Sequence, residues 1–209
     1  MVNSKEAVCN LALSHMGNFS SINNIDTPKT DKEKIFALWY DLTRKTSLKT
    51  MKPNFCLDRR VIAKAGITPI ESHFANAYEY PSDALAILGI NGIDAKEKNY
   101  TIESQDGIQY IFIDDDFPNG MPIRFVKDFE DVARMSPEFL VQLSWDLAIN
   151  VALPITQDVN KMKAVIDIAP VAMANTTALN AQENPPVRKS NSKFRQSRHT
   201  LRPVTETKK

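Results

Sequence analysis

Residues 137–153 read PEFLVQLSWDLAINVAL. Ser136 stands where an N-cap hydroxyl accepts from the first unpaired amides of a helix, and Pro137 fills the first helical position, where a missing N–H costs nothing. In the helix that follows, Leu140, Leu143, Leu147 and Val151 form one apolar stripe, and Val141, Trp145, Ala148 and Ala152 form another. A helix apolar around so much of its circumference must be covered on most sides. Whatever else the chain does, it has to build a helical layer around this segment.

Pro154 is expected to end the helix at residue 153, because its ring cannot continue the hydrogen-bond ladder and it pushes the preceding residue out of the α region. Thr156 offers a new N-cap. Beyond it Val159, Met162, Ile166, Ala169 and Met173 recur at steps of three and four, which predicts a second helix over 156–182 with a seam suited to lying along another helix. Pro170 falls inside that seam and removes the bond to Ile166, a loss of about 3 kcal/mol that predicts a kink. The two helices read as an antiparallel pair closing a small core.

Upstream, Asn3 with Glu6 three residues on has the spacing of an N-cap, and Val8, Leu11, Leu13 and Met16 give helix 3–17 its apolar face before Gly17 stops it. Thr27-Pro28 opens a helix over 28–52 in the same way, with Ile35, Leu38, Trp39, Leu42 and Thr46 on one face and Pro53 at its end. A strand-rich insertion occupies 54–128. Residues 54–65 read as extended, and Ser82-Asp83 cap a turn or two of helix from Ala84 to Leu88. From Asn99 the period becomes two. Tyr100 and Ile102, then Ile108, Tyr110 and Phe112, alternate around an Asp106-Gly107 turn, and a second turn at 114–120 leads into a strand from Pro122 to Lys127. These three strands predict an antiparallel meander. The expected fold class is α+β: about four helices with a small antiparallel β-sheet domain, together one domain over 1–183, followed by an extended arm over 184–209.

A content of 43 % hydrophobic and 24 % charged residues is that of an ordinary soluble globular protein. The start MVNSKEAVCN has no signal-peptide core, and no apolar run is expected to reach the ~20 residues of a membrane span. Synthesis in the cytoplasm is expected. Cys9 and Cys56 lack metal or disulfide spacing and read as small buried hydrophobes, and His15, His73 and His199 fall in unrelated contexts, so no metal or cofactor is expected. No phosphate-cradling, nucleophile-elbow or zincin motif occurs. Asp114-Asp115-Asp116 lacks the spacing of a calcium loop and reads as a solvated turn, and Arg59-Arg60 as a solvated strand face. An enzyme is not expected.

Charge is distributed unevenly. Residues 188–209 hold eight cations against Glu206 alone, so a chain of net charge +1 carries +7 in its arm and −6 elsewhere. The arm has too few apolar residues to order itself alone. Its cations would neutralise phosphates in a salt-sensitive, sequence-independent way, with Phe194 and His199 available to stack on bases. The preferred reading is docking onto a neighbouring protein through Val187, Phe194, Leu201 and Val204.

The order of features adds to this. A strand leads through an acidic bend into a Phe-containing helix, a P-[IL]-T break and an Ala-rich helix, carried here by Phe125, Asp128, Asp131, Phe139, Ala148, Ala152 and Pro154-Ile155-Thr156. With the block Tyr78, Tyr80, Pro81, Asp83 and the helix over 31–51 followed by PNFCLDRRVIAKAG, this order resembles the head-to-tail adaptors of short-tailed bacteriophages, the tail tubular protein A family, over residues 3 to 182. The resemblance implies a non-enzymatic virion protein in a ring, typically dodecameric, between the capsid portal and the tail nozzle. Leu140, Val141, Trp145, Ile149, Val159, Met162 and Ile166 would then pack between subunits. Val187, Arg188, Lys189, Lys193, Phe194, Arg195, Arg198, Leu201 and Arg202 would dock the arm on the portal, the nozzle or a neighbouring ring protein. Double-stranded DNA would pass through the channel without specific recognition, eased by an acidic body, and no membrane would be involved. The arm is longer and more basic than the ends usual in that family. The alternative reading is a nucleic-acid-binding module that uses the arm.

Overall fold

The computed structural model describes residues 4–18, 20–70 and 73–183, so the expectations for Asn3 and for the arm lie outside the described residues. The fold is α+β. Among the described residues four helices, α1 (Lys5–His15), α2 (Asp31–Met51), α3 (Pro137–Thr156) and α4 (Val159–Glu183), bracket seven strands. These are β1 (Leu57–Ile62), β2 (Asn76–Glu79), β3 (Ala84–Ile90), β4 (Ile93–Asp94), β5 (Tyr100–Gln105), β6 (Ile108–Ile113) and β7 (Met121–Lys127).

Helix α3 is the hub, packed against α1, α2 and α4. Ser136 caps it by accepting from the Phe139 amide at 3.4 Å, and Leu140, Leu143, Leu147 and Val151 are all buried with Ala148 and Ala152. Its 20 residues are long and apolar enough to cross a membrane by length and composition, contrary to the expectation for apolar runs. Here three neighbouring helices account for that apolarity.

The four-stranded sheet, in the order β1-β7-β3-β4, lies between two cores. Val126, Leu85, Ala86 and Leu88 face the helical layer, while Ile87, Ile90, Ile123 and Phe125 face a second sheet of order β2-β6-β5 that contributes Tyr78, Ile111 and Ile113. All the strand pairings are antiparallel.

Several expectations are corrected. Ser4 caps α1, accepting from Ala7 N at 3.2 Å. Thr30, not Thr27, caps α2, in a capping box with Glu33. Residues 84–88 form strand β3 rather than a helical turn. Register shifts at Ala84/Ala86 and Ile87/Gly89 put Ala84, Ile87 and Ile90 on one face, so bulges imitate a helical spacing of three. The meander is not formed either. β5 and β6 make the expected hairpin, with Asp106 and Gly107 at φ 54° and 80°, but β7 leaves them to lie between β1 and β3. The 114–120 turn is thus a crossing between sheets, where an added Cβ at Gly120 (φ 87°) would sit 2.7 Å from Val61 Cγ1.

Pro154 does not end α3. Its exposed ring removes only the bond to the Asn150 carbonyl, and the last turn closes with Gln157 N donating to Leu153 O at 2.9 Å. Thr156 is therefore not a cap. Its hydroxyl donates to Ala152 O at 2.7 Å, and Asp158 opens α4 by accepting from Asn160 N at 2.8 Å. Helix α4 continues through Pro170, whose ring is also exposed.

Candidate interaction surfaces

Helix α2 has two faces of opposite character. Phe36, Tyr40, Arg44 and Leu48, four residues apart, are buried with Glu33, Thr43 and Ser47, while Leu38 and Leu42 are 74 % and 59 % exposed. This is not the face expected from the positions of the leucines. The difference is Arg44, whose side chain is 1 % exposed. Its Nη1 donates to Asp128 Oδ1 at 2.5 Å and to Phe129 O at 2.6 Å, and Asp41 (3.4 Å) and Glu130 (3.7 Å) flank the guanidinium. Lys45 adds a 3.2 Å pair to Asp128. A buried guanidinium is tolerated only when its donors find acceptors, and the acidic bend supplies them. Arg44 was not singled out in the sequence. The signal was its place in the Phe36, Tyr40, Leu48 series.

At the start of α2, Glu33 accepts from the amides of Lys29, Thr30 and Asn23 at 2.8, 2.9 and 3.3 Å, and these bonds hold its pKa down at about 2. Further along the inner face, the Tyr40 hydroxyl has no hydrogen-bond partner among the described residues, and burial pushes the phenol pKa up. Cys9 and Cys56 are buried free thiols, each pushed up to about 12 by burial.

Between α2 and α3 lies an open groove of about 420 Å³. Trp39, Leu42, Thr46, Thr50 and Met51 form the α2 side; Gln142, Asp146, Ile149 and Asn150 form the α3 side. Its polar groups tie the two helices together. Ser47 Oγ donates to Asp146 Oδ2 at 2.5 Å and Asn150 Nδ2 to Thr43 Oγ1 at 3.0 Å, while within α3 Gln142 Nε2 donates to Asp146 Oδ1 at 3.0 Å. Asp146 therefore receives neutral donors, and among the described residues no cationic nitrogen lies within ion-pair distance of it.

Helix α4 is seated on α3 through Met162, Val165, Ala169 and Thr176. The expected seam is displaced: Val159 and Ile166 stand exposed at one edge, and Ile168 (55 % exposed) and Val171 (76 %) lie outside it. Of the side chains expected between subunits, Leu140 belongs to the subunit's own core, and Val141, Trp145, Ile149 and Met162 are half-buried. Trp145 is also engaged internally, stacked on His15 at 3.8 Å between ring centroids. The Ser144 hydroxyl donates to Val141 O at 2.7 Å, so its 2.9 Å contact with His15 Nε2 uses a proton on the imidazole, whose pKa burial lowers.

Of the remaining charged candidates, Arg60, Asp115 and Asp116 are engaged in ion pairs. Arg60 forks onto Asp83 at 3.0 and 2.9 Å, holds that carboxyl below its usual range, and lies over the Phe125 ring. Arg59 is exposed. In the acidic crossing, Lys64 pairs with Asp116 at 2.8 Å, Lys98 pairs with Asp115, and Asn76 donates to Asp114 O at 2.9 Å. Among the described residues no three His, Cys, Asp or Glu side chains converge as metal ligands. Compared with known proteins, the chain matches no protein-family model and no curated protein sequence.

Proposed function

We propose that this chain is a non-enzymatic structural virion protein that joins copies of itself into a ring between a capsid portal and a tail. Double-stranded DNA would pass through the ring without being recognised. The observation that carries the reading is α4: 25 residues long, seated along α3, with Ile166, Ile168 and Val171 exposed on its flanks. Apolar side chains spread along a helix in this way suit packing against a neighbouring copy around a rotation axis. The order of motifs that resembles the head-to-tail adaptors points the same way, and a body of charge −6 suits a channel through which DNA slides. The arm would dock on the portal, the nozzle or a neighbouring ring protein.

The test is the mass of the purified protein alone and after mixing with a portal ring, for the full chain and for a chain ending at Glu183. Joining the portal as a ring supports the proposal, and its loss on truncation assigns docking to the arm. The +7 arm favours one competing reading, a nucleic-acid-binding module. A chain that ignores every portal but shifts duplex DNA at low salt, with a steep loss as salt rises, would establish that reading instead.

A further inference from the structure

The α2–α3 groove has an occupant within reach on its own chain. Its floor carries Asp146, a half-buried carboxylate held by Ser47 and Gln142 without a cation partner among the described residues. Leu42 and Trp39 offer apolar surface toward one end. A segment suited to it has a cation, a few extended residues, and then an aromatic ring.

Helix α4 delivers such a segment to the other end. It runs antiparallel to α3, and Thr176 Oγ1 lies 3.3 Å from Oε1 of Gln142, a residue that lines the groove. Seven more residues carry the helix to Glu183, about 10 Å past that point at ~1.5 Å per residue. Asp146 is one turn along α3 from Gln142, about 6 Å the other way. The chain that follows, Asn184-Pro185-Pro186-Val187-Arg188-Lys189, cannot continue the helix through its prolines and favours extended backbone. Five or six extended residues span ~17–20 Å, a length sufficient to reach from Glu183 back to the carboxylate. From Ser47, the Asp146 partner, to Trp39 is eight helical residues, ~12 Å. Six extended residues from Arg188 to Phe194 reach ~20 Å, enough to lay the ring on Trp39 and Leu42.

We infer that residues 187–194 of the arm fold back into the α2–α3 groove of their own subunit, with Arg188 or Lys189 on Asp146 and Phe194 against Trp39 and Leu42. Attachment to the same chain favours this seat over one on another copy, since a short tether holds the segment at roughly millimolar effective concentration. The inference does not rest on the ring reading. If both hold, a docking partner has to draw the arm out of its own groove.

The full chain carrying Thr46→Cys and Ser192→Cys tests it. Thr46 is an exposed groove residue, and Ser192 falls between the cation and the ring. Cys9 and Cys56 are buried away from the oxidant. In dilute, low-salt solution this pair should form a disulfide within one chain at least ~10-fold faster than a control pair of Ser192→Cys with Ile102→Cys on β5. Adding Asp146→Asn, or salt near 1 M, should bring the rate toward that of the control. A rate equal to the control, or dimers in place of internally linked monomers, overturns the inference. An unchanged rate with Asp146→Asn removes the carboxylate from it. Internal linkage in a chain that never joins a portal would sink the ring and leave this seat standing.

Discussion

Arg44 on α2 and Asp146 on α3 are treated in opposite ways. The Arg44 guanidinium is buried and surrounded by Asp128, Asp41, Glu130 and the Phe129 carbonyl. The Asp146 carboxylate, bonded to Ser47 on the same helix α2, lies in an open groove and receives neutral donors. A charge saturated by its own chain is consumed in holding α2 to the bend before α3. A carboxylate solvated by hydroxyl and amide groups retains attraction for a cation from elsewhere. Only the second can act as an interaction site without unfolding something.

Substitutions can break this comparison. Arg44→Ala should produce the largest loss, about 3–5 kcal/mol of unfolding free energy from urea denaturation, because it leaves Asp128 without its closest cation. A loss below about 1 kcal/mol would mean that Lys45 and solvent satisfy the bend, and that Arg44 is not the tie described.

Glu33→Gln should be felt in acid. The folded pKa, held at about 2, lies below the ordinary ~4.3 of an unfolded glutamate, so the contribution is present above ~4.3 and is lost as pH falls toward 2. The variant should show a flatter fall of unfolding free energy over that window. An unchanged acid limb would place the pH dependence in other carboxylates.

Asp146→Asn should change unfolding free energy by under about 1 kcal/mol, since the amide keeps the shape and part of the hydrogen bonding. A loss as large as that of Arg44→Ala would make Asp146 a structural charge and erase the contrast. The smallest effect is expected for Tyr40→Phe, which removes a buried hydroxyl without a partner. Stability should stay the same or rise by up to about 1 kcal/mol, read from the urea midpoint. A clear loss would show that the hydroxyl is satisfied in solution.

What was legible along the chain was local. Ser136-Pro137 marks the start of α3 because capping and proline geometry involve only neighbouring residues, and Asp106-Gly107 marks the β5–β6 hairpin because positive φ is a property of the turn itself. The inner face of α2 was misread because ranking by hydrophobicity puts Leu38 and Leu42 inside and Arg44 outside. Acceptors more than eighty residues away reverse the order. Strand β3 was misread because bulges change its side-chain period, and β7 was given the wrong partners because alternation marks a strand without naming its neighbour. Of the interface candidates, Val159 and Ile166 are exposed and Leu140 is core, a division that periodicity alone cannot make.

The sequence by itself determined that a nearly apolar helix over 137–153 needs a helical layer around it, that strands fill the insertion before it, and that a basic arm follows an acidic body. Those outcomes depend on composition, spacing and short-range backbone chemistry, which travel with the residues. Only the tertiary structure decided that α1, α2 and α4 are the cover, that Arg44 is buried and Leu42 is not, and that a groove with a carboxylate lacking a cation partner opens between α2 and α3. Burial is a property of what lies opposite a side chain, and partners for Arg44 and Asp146 are brought there by helices and bends remote in the chain.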